Sequence, residues 1–183
     1  KMKKGIFILL LIGLACSLQA QIFQSNFQDW DAEDNFPTDF NGPHTNISLG
    51  NVTKVTEGSV YGDFACKLEN TGSSGKRFAT QYVSVTEGES YEVTFWVRGE
   101  GDINARLYTD DYIGSTSYIE VNSTEWTEKT KTVTANISTD SAEVLIYVKG
   151  TIGDHIEIDS VAVVSTTLAS TSIYDIQYST IIG

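Results

Sequence analysis

Six residues have the types and spacing to hold a ligand: Trp96, Arg98, Arg106, Tyr108, Tyr147 and Tyr82. In the segment 91–98, Tyr91, Val93, Phe95 and Val97 share one face, which leaves Trp96 and Arg98 on the other with Glu92 and Thr94. In 142–149, Val144, Ile146 and Val148 point one way and Leu145, Tyr147 and Lys149 the opposite way. Aromatic rings on an outward face stack on the apolar faces of pyranose rings, and flanking polar groups bond the sugar hydroxyls. Tyr118 is a candidate for the same face. The alternative is that these rings cover the sheet or pack under loops, since tyrosine is ordinary in strands. A second set, Trp30, Phe36, Phe40 and Tyr112, lies in the acidic loops Asp29–Asp39 and Asp110-Asp111, where the rings shape a pocket or anchor the loops.

Residues for bond-making chemistry are scarce. His44 and His155 are the two histidines, and no Ser/His/Asp spacing, H-E-x-x-H or Cys/His cluster stands out. Gly72-Ser73-Ser74-Gly75-Lys76 lacks the spacing of a phosphate loop and its hydroxyl after the lysine, so it reads as a turn. A glycosidase pair among the 24 acids would be defined by distance in space, not by sequence.

The elements that must position the six residues are strands. From Gln21 to about Ser165 proline is sparse, β-branched residues are common, and no segment of ten or more residues keeps a helical period. Gly99-Glu100-Gly101-Asp102 reads as a hairpin turn, with Ile103 to Tyr108 as the return strand. Trp126 to Val133 and Ile156 to Val164 read as further strands. About ten short strands imply an all-β domain, a two-sheet antiparallel β-sandwich or jelly roll.

The ends imply export. Lys1, Lys3 and Lys4 precede an apolar run from Ile6 to Ala15 and the small polar stretch Ser17-Leu18-Gln19-Ala20. That is the pattern of a secretory signal peptide over 1–20, and the run is shorter than the about 20 residues that span a bilayer. The expected location is secreted, extracellular or at the cell surface, with no stable membrane insertion after cleavage; lipid anchoring at Cys16 is the minority alternative. The chain has 12 Lys+Arg against 24 Asp+Glu, a net charge of −12. Without the three signal lysines nine cations remain and the net charge is −15. Nucleic acid is therefore not an expected partner. Cys66 is then a lone cysteine in an apolar stretch, so core packing or a metal must hold the fold. Thr166 to Ser172 reads as a linker and 173–183 as the truncated start of a downstream domain of the same chain.

Four stretches carry a family resemblance. Asn26-Phe27-Gln28, Val85 to Gly99, Trp126-Thr127 and Ile156-Glu157-Ile158-Asp159-Ser160-Val161 together resemble carbohydrate-binding modules of the family 4/9/22 type. The resemblance covers most of 21–165 and implies a galactose-binding-like jelly roll. It implies a non-catalytic module that holds a poly- or oligosaccharide for a secreted, glycan-active protein. The alternative is a structural spacer ahead of a missing catalytic domain, a nuclease in some proteins. The resemblance also implies a structural calcium ion at Asp159 and position 28, although Gln28 stands where the family has a carboxylate. Asp159 shares strand parity with Val161, which points it inward, where it needs a cation or several donors, unless a bulge turns it outward.

Overall fold

The computed structural model describes residues 20–166. Residues 1–19 of the expected signal peptide, Cys16 among them, the expected linker beyond Thr166 and the segment 173–183 lie outside the described residues. Ten strands follow in order: β1 Gln21–Ser25, β2 Val52–Val55, β3 Ala65–Glu69, β4 Lys76–Ala79, β5 Val83–Val85, β6 Ser90–Tyr108, β7 Tyr112–Ile113, β8 Ile119–Thr134, β9 Thr139–Lys149 and β10 His155–Ser165. Two 3-10 turns, Thr38–Phe40 and Leu49–Asn51, interrupt the long connection from β1 to β2. No helix among the described residues is long and apolar enough to cross a membrane.

All pairings are antiparallel, and the central path runs β2-β3-β10-β6-β9-β4. The sheet curls because β6 serves two layers. Its first half pairs with β10 and with the second half of β8. Its second half pairs with β9, with β7 and with the start of β8. The change of partner falls at Gly99 and Gly101, whose φ values of +110° and +142° suit glycine alone. The segment 99–102 is thus no hairpin turn, and Ile103–Tyr108 is no return strand. Glycine and aspartate mark turns, but here they bend one continuous strand between layers.

The two layers close on one core. Tyr91, Val93, Phe95 and Val97 from the first half of β6 and Ile103, Ala105 and Leu107 from the second half are buried. Val144, Ile146 and Val148 meet them from β9, and Ile156, Ile158, Val161 and Val163 from β10. Phe40 stacks on Phe78 with ring centroids 4.3 Å apart, and Phe27 stacks on Phe40 at 5.2 Å. Phe36 and Phe40 are therefore core anchors of the β1–β2 connection, and Trp30 packs against the same core while donating to the Phe27 carbonyl at 2.6 Å. Cys66 is fully buried, and burial pushes its thiol well above the ordinary range, as for an inert core residue.

Candidate functional site

The outer face of the second layer gathers rings and guanidiniums from strands far apart in sequence. Directly opposed residues of antiparallel strands share a face. Arg77 on β4 opposes Tyr147 on β9, which opposes Asn104 on β6. One row on, Ala79 opposes Leu145, which opposes Arg106. In the next row Glu143 opposes Tyr108, which opposes Tyr112 on β7. Ala79, Leu145 and Tyr147 form a small apolar floor on which Tyr108, Tyr112 and Tyr118 pack. Tyr108 and Tyr112 meet edge to face at 5.0 Å. The guanidiniums of Arg77 and Arg106 lie 5.4 Å and 5.6 Å from the centre of the Tyr112 ring, a cation–π distance.

His44 closes one end of this face. Its ring lies 3.7 Å, centroid to centroid, from that of Tyr108. Glu143 is fully buried, and its carboxylate accepts the His44 backbone N–H at 3.1 Å and bonds Nδ1 of the ring. That bond leaves Nε2 as the free nitrogen of a partly exposed imidazole. At the other end the Lys149 ammonium sits 4.2 Å above the Tyr118 ring and 3.7 Å from the Asp102 carboxylate. Burial raises the Tyr118 and Tyr147 hydroxyls above the usual range, while the nearby arginines oppose that shift.

Trp96 and Arg98 lie in the other layer, on its own outer face. There the loop 57–64 covers them. Tyr61 meets Trp96 edge to face at 6.4 Å, Trp126 Nε1 donates to the Gly58 carbonyl at 2.6 Å, and the Arg98 guanidinium stacks 4.6 Å from the Trp126 ring. Arg98 Nε also donates to Glu157 at 2.6 Å. The structure thus brings Arg106, Tyr108 and Tyr147 together and keeps Trp96 and Arg98 apart from them. Tyr82, 58% exposed in the β4–β5 connection, makes no ring contact with either group. Sequence parity missed Arg77, His44 and Glu143 as members of the face. Arg77 had outward parity on a four-residue strand and Glu143 on β9, His44 in the β1–β2 connection had none, and the β4–β9 pairing that places Arg77 joins residues about seventy positions apart.

A cleft of about 510 Å³ opens beside Arg98, lined by Asn122, Ser123, Thr124, Asp154, His155 and Glu157 among others. No tyrosine or tryptophan lines it, so it offers no platform for a pyranose ring.

Asp159 is turned away from the core by a bulge. It opposes Trp96 rather than an inward residue, Ser160 has φ +47°, and the register shifts before Ala162. Val161 then returns to the core. Asp159 is nevertheless fully buried, beneath the 57–64 loop. Its carboxylate accepts the N–H groups of Val60 at 2.6 Å, Tyr61 at 3.0 Å and Ser160 at 2.7 Å. Burial raises its pKa, and the Tyr61, Val60 and Ser160 bonds work against that. Gln28 holds the far end of the loop: Oε1 accepts the Asp63 N–H at 3.0 Å, and Nε2 donates to the carbonyls of Asn26 at 2.7 Å and Phe64 at 3.3 Å. A calcium site needs oxygens converging on the ion, whereas here an amide N–H₂ group faces the two carbonyls. Among the described residues no three His, Cys, Asp or Glu side chains converge to hold a metal.

Comparison with known proteins places the chain in a family. No curated protein sequence matches the chain. Solved structures similar in fold include the CBM22-1 xylan-binding domain from Paenibacillus barcinonensis Xyn10C, with a TM-score of 0.56 at 11% identity, covering 85% of this chain and 100% of that one. The CBM22-1–GH10 modules of a Clostridium thermocellum endo-1,4-β-D-xylanase complexed with xylohexaose give 0.55 at 16% identity, covering 80% of this chain and 29% of that one. An arabinose-bound GH51 α-L-arabinofuranosidase gives 0.54 at 14% identity over 64% of this chain, which spans only 22% of the length of that enzyme. At these identities the likeness is one of fold. The family model for a carbohydrate binding domain, CBM_4_9, matches residues 19–154, every strand but β10. The chain belongs to this carbohydrate binding domain family.

Proposed function

We propose that the domain tethers a secreted protein to a poly- or oligosaccharide, and that the glycan lies on the outer face of β4, β9 and the second half of β6. One observation carries the choice of face. Tyr108, Tyr112 and Tyr118 pack there on an apolar floor that includes Tyr147, and the hydroxyls of Tyr108, Tyr112 and Tyr147 make no hydrogen bond to the protein among the described residues. Clustered rings with unspent hydroxyls suit a pyranose ring with its hydroxyl rim. The domain itself does no chemistry. The xylan-binding domain and the xylohexaose-complexed modules of like fold support a plant-wall glycan, and the xylanase, which carries its module with a GH10 domain, supports a glycoside hydrolase as the downstream partner. The basic-apolar-polar pattern of 1–20 supports export. Affinity gel electrophoresis against a panel of soluble polysaccharides tests the reading. Retardation by at least one polymer is expected; free migration in all of them sinks it.

We also infer that the 57–64 loop is held without calcium. The Gln28 amide bridges the Asn26 and Phe64 carbonyls, and backbone N–H groups satisfy Asp159, so both roles of an ion are filled by the chain.

A further inference from the structure

The chain contains three arginines, and their surroundings differ. Arg98 is paired with Glu157. Arg77 and Arg106 make no ion pair among the described residues, although acids outnumber Lys and Arg in the chain by 24 to 12. Both sit on the tyrosine face. Arg77 uses Nε alone, donating to the His44 carbonyl at 3.0 Å. Arg106 uses Nη2 alone, donating to the Tyr112 carbonyl at 2.7 Å, and its Nε is buried with no acceptor. Buried donors without a partner are uncommon and mark a place where something is missing. The acids of the same face are already engaged: Glu143 holds His44, and Asp102 lies beside Lys149. Asp110 and Asp111 lie on the turn before β7, and their carboxylates bond within the turn and to Asn136.

We propose that this face binds an anionic polysaccharide, with the carboxylate of a uronic acid unit received by the guanidiniums of Arg77 and Arg106 while its ring stacks on tyrosine. The inference rests on the glycan reading of the same face given above. A guanidinium fork matches a carboxylate in plane and spacing, and the partly buried, ring-lined setting strengthens the bond over one in water. A uronate polymer presents both features at every unit, an apolar ring face and a carboxylate on its edge. The protein's overall negative charge does not forbid this, because charges beyond the Debye length of about 8 Å are screened at physiological salt.

The test sets a uronate polymer against its own neutral ester, with a neutral and a sulfated polymer as further arms. The full chain is run in affinity gels containing polygalacturonate, its methyl-esterified form, neutral xylan or a sulfated galactan. Retardation in polygalacturonate at least about tenfold stronger than in the methyl ester is expected. Either Arg77→Gln or Arg106→Gln should remove most of that preference. Raising sodium chloride from about 0.05 to about 0.5 M should weaken polygalacturonate binding and leave xylan binding unchanged. Arg106→Lys, which keeps the charge but not the fork, separates a loss of recognition from a loss of folding, and it should retain some of the affinity. Equal binding of ester and acid, with both glutamine variants unaltered, overturns the inference and leaves the glycan reading standing. Binding of the sulfated polymer alone overturns the carboxylate assignment. Free migration in every gel overturns both readings together.

Discussion

The two outer faces of this sandwich carry similar residues to different ends. Each has an arginine stacked on an aromatic ring: Arg98 on Trp126 in the first layer, Arg106 near Tyr112 and Tyr147 in the second. In the first layer the polar groups are spent inside the protein. Trp126 donates to Gly58, Arg98 donates to Glu157, and Tyr61 lies against Trp96. In the second layer two guanidiniums and three tyrosine hydroxyls keep unspent capacity. The difference is the loop 57–64, which folds down over the first face because Asp159 holds its middle and Gln28 its far end. A ring that anchors a loop and a ring that waits for a ligand look alike in composition. What separates them is where their hydrogen bonds go.

This contrast breaks most visibly at Trp126. Trp126→Ala should cost about 2–3 kcal/mol of stability, because it removes a half-buried ring and the bond that pins Gly58, while glycan retention per folded molecule stays as it was. Urea unfolding beside affinity electrophoresis separates the two quantities, and a loss of retention at full stability would move the binding face to the first layer. Tyr112→Ala should do the reverse. A central aromatic anchor contributes about 2 kcal/mol of binding, roughly thirtyfold in affinity, and the melting temperature should move little.

A subtler test concerns the loop that makes the difference. Burial holds the Asp159 carboxyl above the ordinary range, so its stabilising contribution is fully present below that range and is lost as pH rises through the raised value. Relative to an Asp159→Asn variant, the urea midpoint of the wild type should therefore fall as pH rises through and above the ordinary carboxylate range. A midpoint that rises over that range would mean that the three N–H bonds outweigh burial and hold the carboxyl ionised. The smallest expected effect is none at all: EDTA and calcium should leave the melting temperature of the wild type unchanged. Gln28→Glu, by restoring an acidic oxygen opposite the Asn26 and Phe64 carbonyls, should make melting calcium-dependent.

The strands themselves were legible in the sequence. Alternation over 91–98 assigned each residue to its correct side, because the sheet period is two and the inner face is apolar. The same rule misled in two places where the backbone departs from a plain strand. At 99–102 a bend through glycine has the composition of a turn, and at Ser160 a single residue with positive φ reverses the parity that pointed Asp159 inward. Neither shows in residue types. The site was half legible. Parity identified Arg106, Tyr108 and Tyr147 as outward, but it could not tell that β6 changes layers after Trp96 and Arg98. The rows that set Arg77 beside Tyr147 and His44 beside Tyr108 arise from pairings between distant segments, which no local pattern encodes.

The pairing of β1 with β10 has a mechanical consequence. The two strands run antiparallel from Gln21 opposite Val164, and the Ser165 N–H bonds the Ala20 carbonyl at 2.9 Å, so both ends of the domain leave at one corner. Tension applied between those ends loads that ladder at its tip. The bonds would break in succession, like a zipper, instead of sharing the load in shear. A load that enters at the tyrosine face and leaves by one chain end does not pull β1 and β10 apart in this way, and it reaches β10 through β6. The domain is therefore built to yield early when stretched between its own two ends.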